Sequence, residues 1–459
     1  MFEHIAPEEA GVRSEGIVRF LDSMKEKHLH LHDMIILRRG RVIAEASFAP
    51  WSKDRLHMLF SLSKSFTSTA VGFAVQDGLL KVTDRLTSFF PELLPAPRCE
   101  NMQKITIRHM LSINTGHAVE PVHRTDCWEA EFLRSYVEYE PGTHFLYNTF
   151  ATYMLAAVVQ KVTGKKMIEY LREKLFDPLG MSKDIWFEES PTGVATGGYG
   201  LNVRVEDIAK LGQFYLQNGK WEGKQLLNDE WIRDAQTPWS DNRGHGGEAS
   251  DWGSGYGYQF WMCRPDKVFR GDGAFGQFCV IMPEQEMVIA INSGLSDMGA
   301  VLNAIWEQIL PCVSDRLPAA DGALEKRLSA SATTTPAFWE EDGSCAQPPV
   351  PENNWLGSFR LQTHNQLGCD SLMLTEGALL FRSGEKVTEY PLCFAEWKHA
   401  EDGESAARAA KAEDKLLVHI CRVLTPFEYL LKFSFTDHGI EIALRSNTGS
   451  RHKIIGYRI

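Results

Sequence analysis

FSLSKSFT, residues Phe60 to Thr67, sets four hydroxyl side chains around a single lysine, with apolar residues between them. From Ser61 onward, Phe66, Ala70, Phe73 and Ala74 recur at helical spacing and predict a helix that stops at Gly78. With Ser61 in its first turn, Lys64 lies on the same face, because positions i and i+3 are neighbours. The helix N-terminus adds free N–H groups and positive potential beside any anion that forms there. A serine hydroxyl is a poor nucleophile until a base takes its proton. A lysine amine serves as that base only when neutral, which requires desolvation or a nearby positive charge. Phe60, Leu62 and Phe66 supply apolar neighbours. The same residues also suit a plain helix start, with Ser61 as N-cap, Ser63 and Ser65 as surface hydroxyls and Lys64 as a solvated charge. Ser-x-x-Lys recurs at Ser383–Lys386 and Ser450–Lys453, so the tetrapeptide alone does not decide.

Outward from this stretch the chain reads as α+β. MIILRRGRVIAEASF (34–48) has two apolar runs around Arg39 and Gly40, the pattern of a hairpin. FCVIMPEQEMVIAINSG (278–294) repeats it around PEQE, and SDMGAVLNAIWEQIL (296–310) reads as a closing helix. Strands from both ends with helical sequence between them predict one mainly antiparallel sheet flanked by helices, plus a separate helical lobe. FATYMLAAVVQKVTG, starting after Thr149, is a second helix of that lobe, ending at Gly164. Beyond Cys312 the composition turns rich in Ala, Ser, Thr and Pro, as a linker does. This divides the chain into 1–312, a linker at 313–350, and 351–459, whose short runs between Gly, Asp, His and Asn turns predict a small all-β barrel or sandwich.

A length of 459 residues implies two or three domains. The net charge of -12 argues against nucleic acid as a partner. No apolar run approaches the roughly 20 residues of a membrane span, and MFEHIAPEEAGVR has neither a basic leader nor an apolar core, so a cytoplasmic location is expected. The nine cysteines are odd in number and scattered, without a Cys-x-x-Cys pair. Neither a disulfide frame nor structural zinc is expected, and no cofactor or metal dependence. Gly-x-Ser-x-Gly, His-Glu-x-x-His, P-loop and EF-hand signatures are absent.

Four blocks, LFSLSKSFTSTAVGFAVQDGLLKVTDRLTSFFPE, ITIRHMLSINTGH, EPGTHFLYNTFATYMLAAVVQKVTGK and GGYGLNVRVEDIAKLGQFYLQNGK, resemble consecutive blocks of the serine β-lactamase and penicillin-binding-protein superfamily. The nearest branch is the class C-like one, with its esterases, D-amino-acid peptidases and 6-aminohexanoate-dimer hydrolases, and the resemblance runs from about residue 5 to 310. It implies a β-lactamase-like fold in which Ser61 is acylated and Lys64 activates it. The family's Tyr-x-Asn falls on Tyr147, Asn148 and Thr149. Tyr147 would share the proton transfer, as a phenolate stabilised by a cation such as Lys64. Read on its own, Tyr147 is a half-buried loop aromatic. Thr149 departs from the asparagine that holds a substrate amide, and it also suits the N-cap of the following helix.

The third motif, Lys-Thr-Gly or His-x-Gly, falls in RGDGAFGQF, on Gly271, Asp272 and Gly273, so its leading cation is missing. Gly273 keeps the small residue that lets substrate approach, and the Ala274 N–H would join that of Ser61 in an oxyanion hole. Arg270, one residue earlier, could replace the missing charge, though a regular strand points it to the opposite face from Gly271. Without the family, this segment is a glycine-rich turn entering a buried strand. The implied activity is hydrolysis of a small-molecule ester, amide or peptide, with true β-lactam resistance not expected. Recognition would come from HRTDCWEAEF (123–132) or from Trp252, Tyr256, Tyr258 and Trp261, which could line a cleft or simply pack. The alternative is a catalytically weak or inactive relative kept for binding or assembly. A homodimer, and the role of the C-terminal β-domain, stay open.

Overall fold

The computed structural model describes residues 2–96, 99–247, 250–314, 322, 324, 355–393 and 396–459. The N-terminal part is built on a six-stranded antiparallel sheet. Its strands are β1 (Leu31–Arg38), β2 (Arg41–Ser47), β3 (Trp261–Met262), β4 (Phe269–Gly273), β5 (Gln277–Met282) and β6 (Met287–Ser293), in the spatial order β2-β1-β6-β5-β4-β3. The predicted hairpin from 34–48 is β1–β2, turning at Arg39 and Gly40, both with positive φ. Its partner across the sheet is the second predicted hairpin, β5–β6, so strands from the two ends of this part meet at β1–β6.

Period-2 alternation clads both faces of the sheet. Ile35, Leu37, Cys279, Ile281, Val288 and Ala290 face one core, and Met34, Ile36, Phe278, Val280, Ile289 and Ile291 face the other. The second face is covered by α1 (Ser14–Glu26) and by the predicted closing helix, which begins as an α-helix at Met298–Ala304 and widens to a π-helix over Ile305–Ile309. The first face carries α2 (Ser63–Gln76), α3 (Thr149–Thr163) and α4 (Val205–Leu216). The helical lobe is therefore not separate, since its apolar residues form one continuous core with this face of the sheet.

Ten strands between Gly357 and Arg458 form a second antiparallel sheet, nearly closed into a barrel. The Ala409 N–H donates to Cys393 O at 2.6 Å, drawing the two ends of this sheet together. Leu372, Leu379, Phe381, Val418, Leu431, Phe433 and Ile442 fill its interior. The linker expected at 313–350 lies almost wholly outside the described residues, as does Cys345. The eight described cysteines are free thiols. Among the described residues, no helix is long and apolar enough to cross a membrane.

The two sheets meet directly. Met58 N donates to Leu424 O at 2.9 Å, Asn447 Nδ2 to Gly294 O at 2.8 Å, and the Arg55 guanidinium to Gly403 O. A Cβ on Gly294 would stand 2.4 Å from Pro426 O, so the backbones touch there.

Candidate active site

Ser61 sits in a single 3₁₀ turn, Phe60–Leu62, ahead of α2 rather than in the helix itself. The turn is entered through Phe60 at φ 49°, a left-handed conformation that costs a bulky residue energy unless its surroundings hold it. What holds it is aromatic. Phe60 meets Phe275 edge-on at 5.2 Å and Phe427 at 6.1 Å, and those two rings meet at 5.5 Å. Phe427 belongs to the C-terminal part, so that part reaches the residue next to Ser61. Each such pair contributes about 1 kcal/mol. Phe427→Ala is therefore expected to raise amide exchange at residues 60–62 about fivefold, read by hydrogen–deuterium exchange, with exchange in α4 unchanged.

The plain helix-start reading fails on burial. Leu62, not Ser61, occupies the N-cap of α2. Ser63 and Ser65 are buried, with Ser63 Oγ donating to Phe60 O and accepting from Leu201 N. Lys64 is 1% exposed, and its Nζ donates to Ser61 Oγ at 3.1 Å, Thr149 Oγ1 at 3.2 Å and Gly198 O at 2.8 Å. Burial drives its pKa down to about 7, against the opposing pull of Glu120 and Asp272. By contrast, Ser383 and Lys386 end an exposed hairpin, and Ser450 and Lys453 are likewise exposed.

Thr149 is not an N-cap. Asn148 caps α3, its Oδ1 accepting from Ala151 N at 3.0 Å, which frees the Thr149 hydroxyl for Lys64. Glu120 completes that helix start, accepting from Thr149 N at 2.5 Å and from Phe150 N at 3.3 Å. Neither Glu120 nor Gly198 was singled out from the sequence. Gly198 carries a readable signal in GGYG, since a Cβ there would stand 2.5 Å from Thr149 Cγ2 and 3.3 Å from Lys64 Nζ.

Tyr147 presents its ring to Lys64, with Nζ 4.9 Å from the centroid, and its phenol lies beside Ser61. Burial first, and then Asp272, push the phenol well above its ordinary value. The expected phenolate is thus replaced by a protonated phenol. Trp261 stacks on Tyr147 at 5.2 Å and Tyr256 meets it edge-on at 6.3 Å, so these two buried aromatics back the tyrosine rather than line an open cleft. Tyr258 packs elsewhere, against Trp231 and Trp239.

On β4 the faces alternate. Gly271 and Gly273 lie against the Ser61 segment, where a Cβ would stand 2.4 Å from Leu62 Cδ1 and 2.0 Å from Leu59 O respectively. Arg270 and Asp272 share the other face, with Arg270 Nε donating to Asp272 Oδ2 at 2.9 Å. Arg270 does not stand free in place of the missing cation. It is fully buried, ion-paired to Asp272, and covered by Trp252 at 4.8 Å. Burial raises the Asp272 pKa and Arg270 opposes the rise. A cavity of about 500 Å³ opens beside Thr149, with Glu120, Val122, His123, Trp128, Phe150 and Tyr153 among its walls, two of them from the HRTDCWEAEF stretch, in which Trp128 begins a short helix.

A helix-clad antiparallel sheet with Ser-x-x-Lys at the mouth of a buried helix is the architecture of the serine β-lactamase and penicillin-binding-protein superfamily. The chain belongs to the Beta-lactamase family, whose family model matches residues 24–306. It is 24% identical over 314 residues to the 6-aminohexanoate-dimer hydrolase of Paenarthrobacter ureafaciens, covering 63% of this chain and 80% of that protein. It is likewise 24% identical over 318 residues to a Beta-lactamase of Escherichia coli, covering 56% and 80%. Among solved structures, the octameric penicillin-binding protein homologue from Pyrococcus abyssi superposes with a TM-score of 0.52 at 16% identity, over 96% of this chain and 99% of that one.

Proposed function

We propose that the protein is a serine hydrolase that cleaves an ester, amide or small peptide bond through an acyl-enzyme at Ser61. The observation that carries this reading is the buried Lys64, 3.1 Å from the Ser61 hydroxyl, where burial lowers its pKa to about 7. In the neutral amine a lone pair is available to take the Ser61 proton as Oγ bonds to the substrate carbonyl carbon. The oxyanion receives the Ser61 and Ala274 N–H groups, a role supported by the backbone contact of Gly273 with Leu59–Leu62. Tyr147, protonated, gives its proton to the departing oxygen or nitrogen and is recharged from Lys64. Water then attacks the ester and loses a proton to Lys64, which passes it to the departing Ser61 oxygen, releasing the acid and the free serine.

Two features support a substrate other than a β-lactam. The Thr149 hydroxyl is engaged by Lys64 instead of facing a substrate amide, and the strand position expected to hold a cation is Gly271, with the neighbouring Arg270 tied to Asp272 on the opposite face. The aromatic-walled cavity beside Thr149 suits an apolar acyl or leaving group. Self-association belongs to the proposal too, because a protein matched along nearly this whole chain is octameric.

A fluorophosphonate probe is expected to add one phosphonyl group to the wild-type protein, and peptide mapping by mass spectrometry should place it on Ser61. Ser383→Ala and Ser450→Ala should label as wild type does. A folded wild type that stays unlabelled and turns over no member of an ester and amide panel would instead favour the binding or assembly role.

A further inference from the structure

Away from Ser61, a second polar cluster is sealed in the seam between the two sheets. His30 and His32 come from the start of β1, while His419, Cys421 and Glu428 come from neighbouring strands of the C-terminal sheet. His32, His419, Cys421 and Glu428 are all 0% exposed. His419 Nε2, Cys421 Sγ and a Glu428 carboxylate oxygen lie within 4.8 Å of one another. His419 Nε2 is 2.9 Å from Glu428 Oε2, and His30 Nδ1 is 3.2 Å from Oε1. Cys421 Sγ stands 3.8 Å from His419 Nε2 and 3.9 Å from Glu428 Oε2.

The decisive group is His32. Its neighbour His57 places Nδ1 3.0 Å from Met58 O, which can only accept, so that nitrogen carries a proton. A charged His57 would be a buried cation with no counter-ion against it among the described residues, so its ring is neutral and Nε2 accepts. His32 Nδ1, 3.0 Å away, is then the donor, and a neutral His32 keeps its lone pair on Nε2. That nitrogen is buried and faces Glu428 Oε1 at 3.9 Å, too far for a direct hydrogen bond, with no closer partner among the described residues. A lone pair facing a carboxylate repels it, whereas a cation between them reverses the sign. Trp51, stacked on His32 at 3.5 Å, and Trp397, edge-on to His419 at 4.8 Å, fix the two rings.

We propose that His32, His419, Glu428 and Cys421, with His30 at their edge, bind a zinc ion in the seam between the two sheets. Imidazole, carboxylate and thiolate donors suit a borderline divalent ion whose bonds of roughly 2.0–2.3 Å are compatible with the 3.8 Å and 3.9 Å that separate Cys421 Sγ from His419 Nε2 and Glu428 Oε2, and His32 Nε2 would close on the ion from beside Glu428. Glu428 and a Cys421 thiolate neutralise the two charges, the thiol proton leaving on binding. The ion is structural. It joins strands far apart in the chain, and Glu428 adjoins Phe427, which packs on Phe60.

The test uses the full chain, stripped with a chelator and titrated with Zn²⁺ and with Co²⁺. One ion per chain is expected by calorimetry and elemental analysis. Bound Co²⁺ should show tetrahedral d–d bands and a thiolate charge-transfer band that Cys421→Ser removes. His32→Ala and Glu428→Gln should weaken uptake by at least the roughly 10- to 100-fold that follows loss of a supporting partner, whereas the exposed His452→Ala should bind as wild type. Stripped wild type that is folded and takes up no Zn²⁺ overturns the site, leaving a protonated His32–Glu428 pair in its place. Unchanged uptake in both ligand variants would also overturn it.

Discussion

Lys64→Ala is expected to lower kcat/KM by about 1,000- to 10,000-fold, the upper end of what a positioned general base contributes. The magnitude follows from the geometry, since the amine is buried, touches Ser61 and has no neighbouring base to replace it at that distance among the described residues. The wild-type pH profile should identify the group. Burial lowers the Lys64 pKa to about 7, and only the neutral amine accepts a proton. Activity should therefore climb about tenfold per pH unit below about 7 and level off above it. Lys64→Arg keeps a charge that cannot be removed and should rescue nothing. A wild-type profile flat from acid to alkaline pH would assign the base elsewhere.

Gly273→Ala is expected to cost nearly as much, by a different route. Its Cβ would stand 2.0 Å from Leu59 O and 3.1 Å from Leu62 N, and backbone atoms cannot swing aside. The end of β4 must retreat from the Ser61 turn, carrying the Ala274 N–H with it. Loss of one oxyanion donor lowers turnover about 100- to 1,000-fold, and the overpacking should remove about 1–3 kcal/mol of stability. Gly271→Ala is the control, because its Cβ meets the side chains of Leu62 and Ser65, which can rotate. Steady-state kinetics and thermal melts of the two variants should separate clearly. Equal effects would show that the strand's proximity to Ser61 is not what matters.

These contrasts mark where sequence reasoning reaches its limit. The two hairpins, α2 and α3 are local patterns, and apolar spacing with Gly40, Gly78 and Gly164 located them. Ser61 and Lys64 were readable because three residues of chain bring them together. Choosing Asn148 over Thr149 as the cap was not readable, since both cap well and Lys64, 85 positions away, settles which hydroxyl is free. Asp272 and Arg270 could be placed on a strand, but their pairing on one face depended on how β4 sits beneath Trp252. Phe427, Glu428 and the seam histidines gave no short-range signal at all. His30 lies 398 positions from Glu428, although His419 is only nine away, and His-x-His at 30–32 and His-x-Cys at 419–421 are the only hints of donors on one strand face.

The contact of Phe427 with Phe60 also bears on when the protein can act. A ribosome releases the N-terminus first, so Ser61, Lys64, Tyr147 and β6 all emerge before residues 424–428 are made. At about 5–20 residues per second, that interval is roughly ten seconds. Throughout it the turn carrying Ser61 lacks the ring, the Leu424 carbonyl and the neighbouring sheet that brace it. The nascent chain would thus carry Ser61, Lys64 and Tyr147 on a less firmly braced turn until residues 424–428 join it.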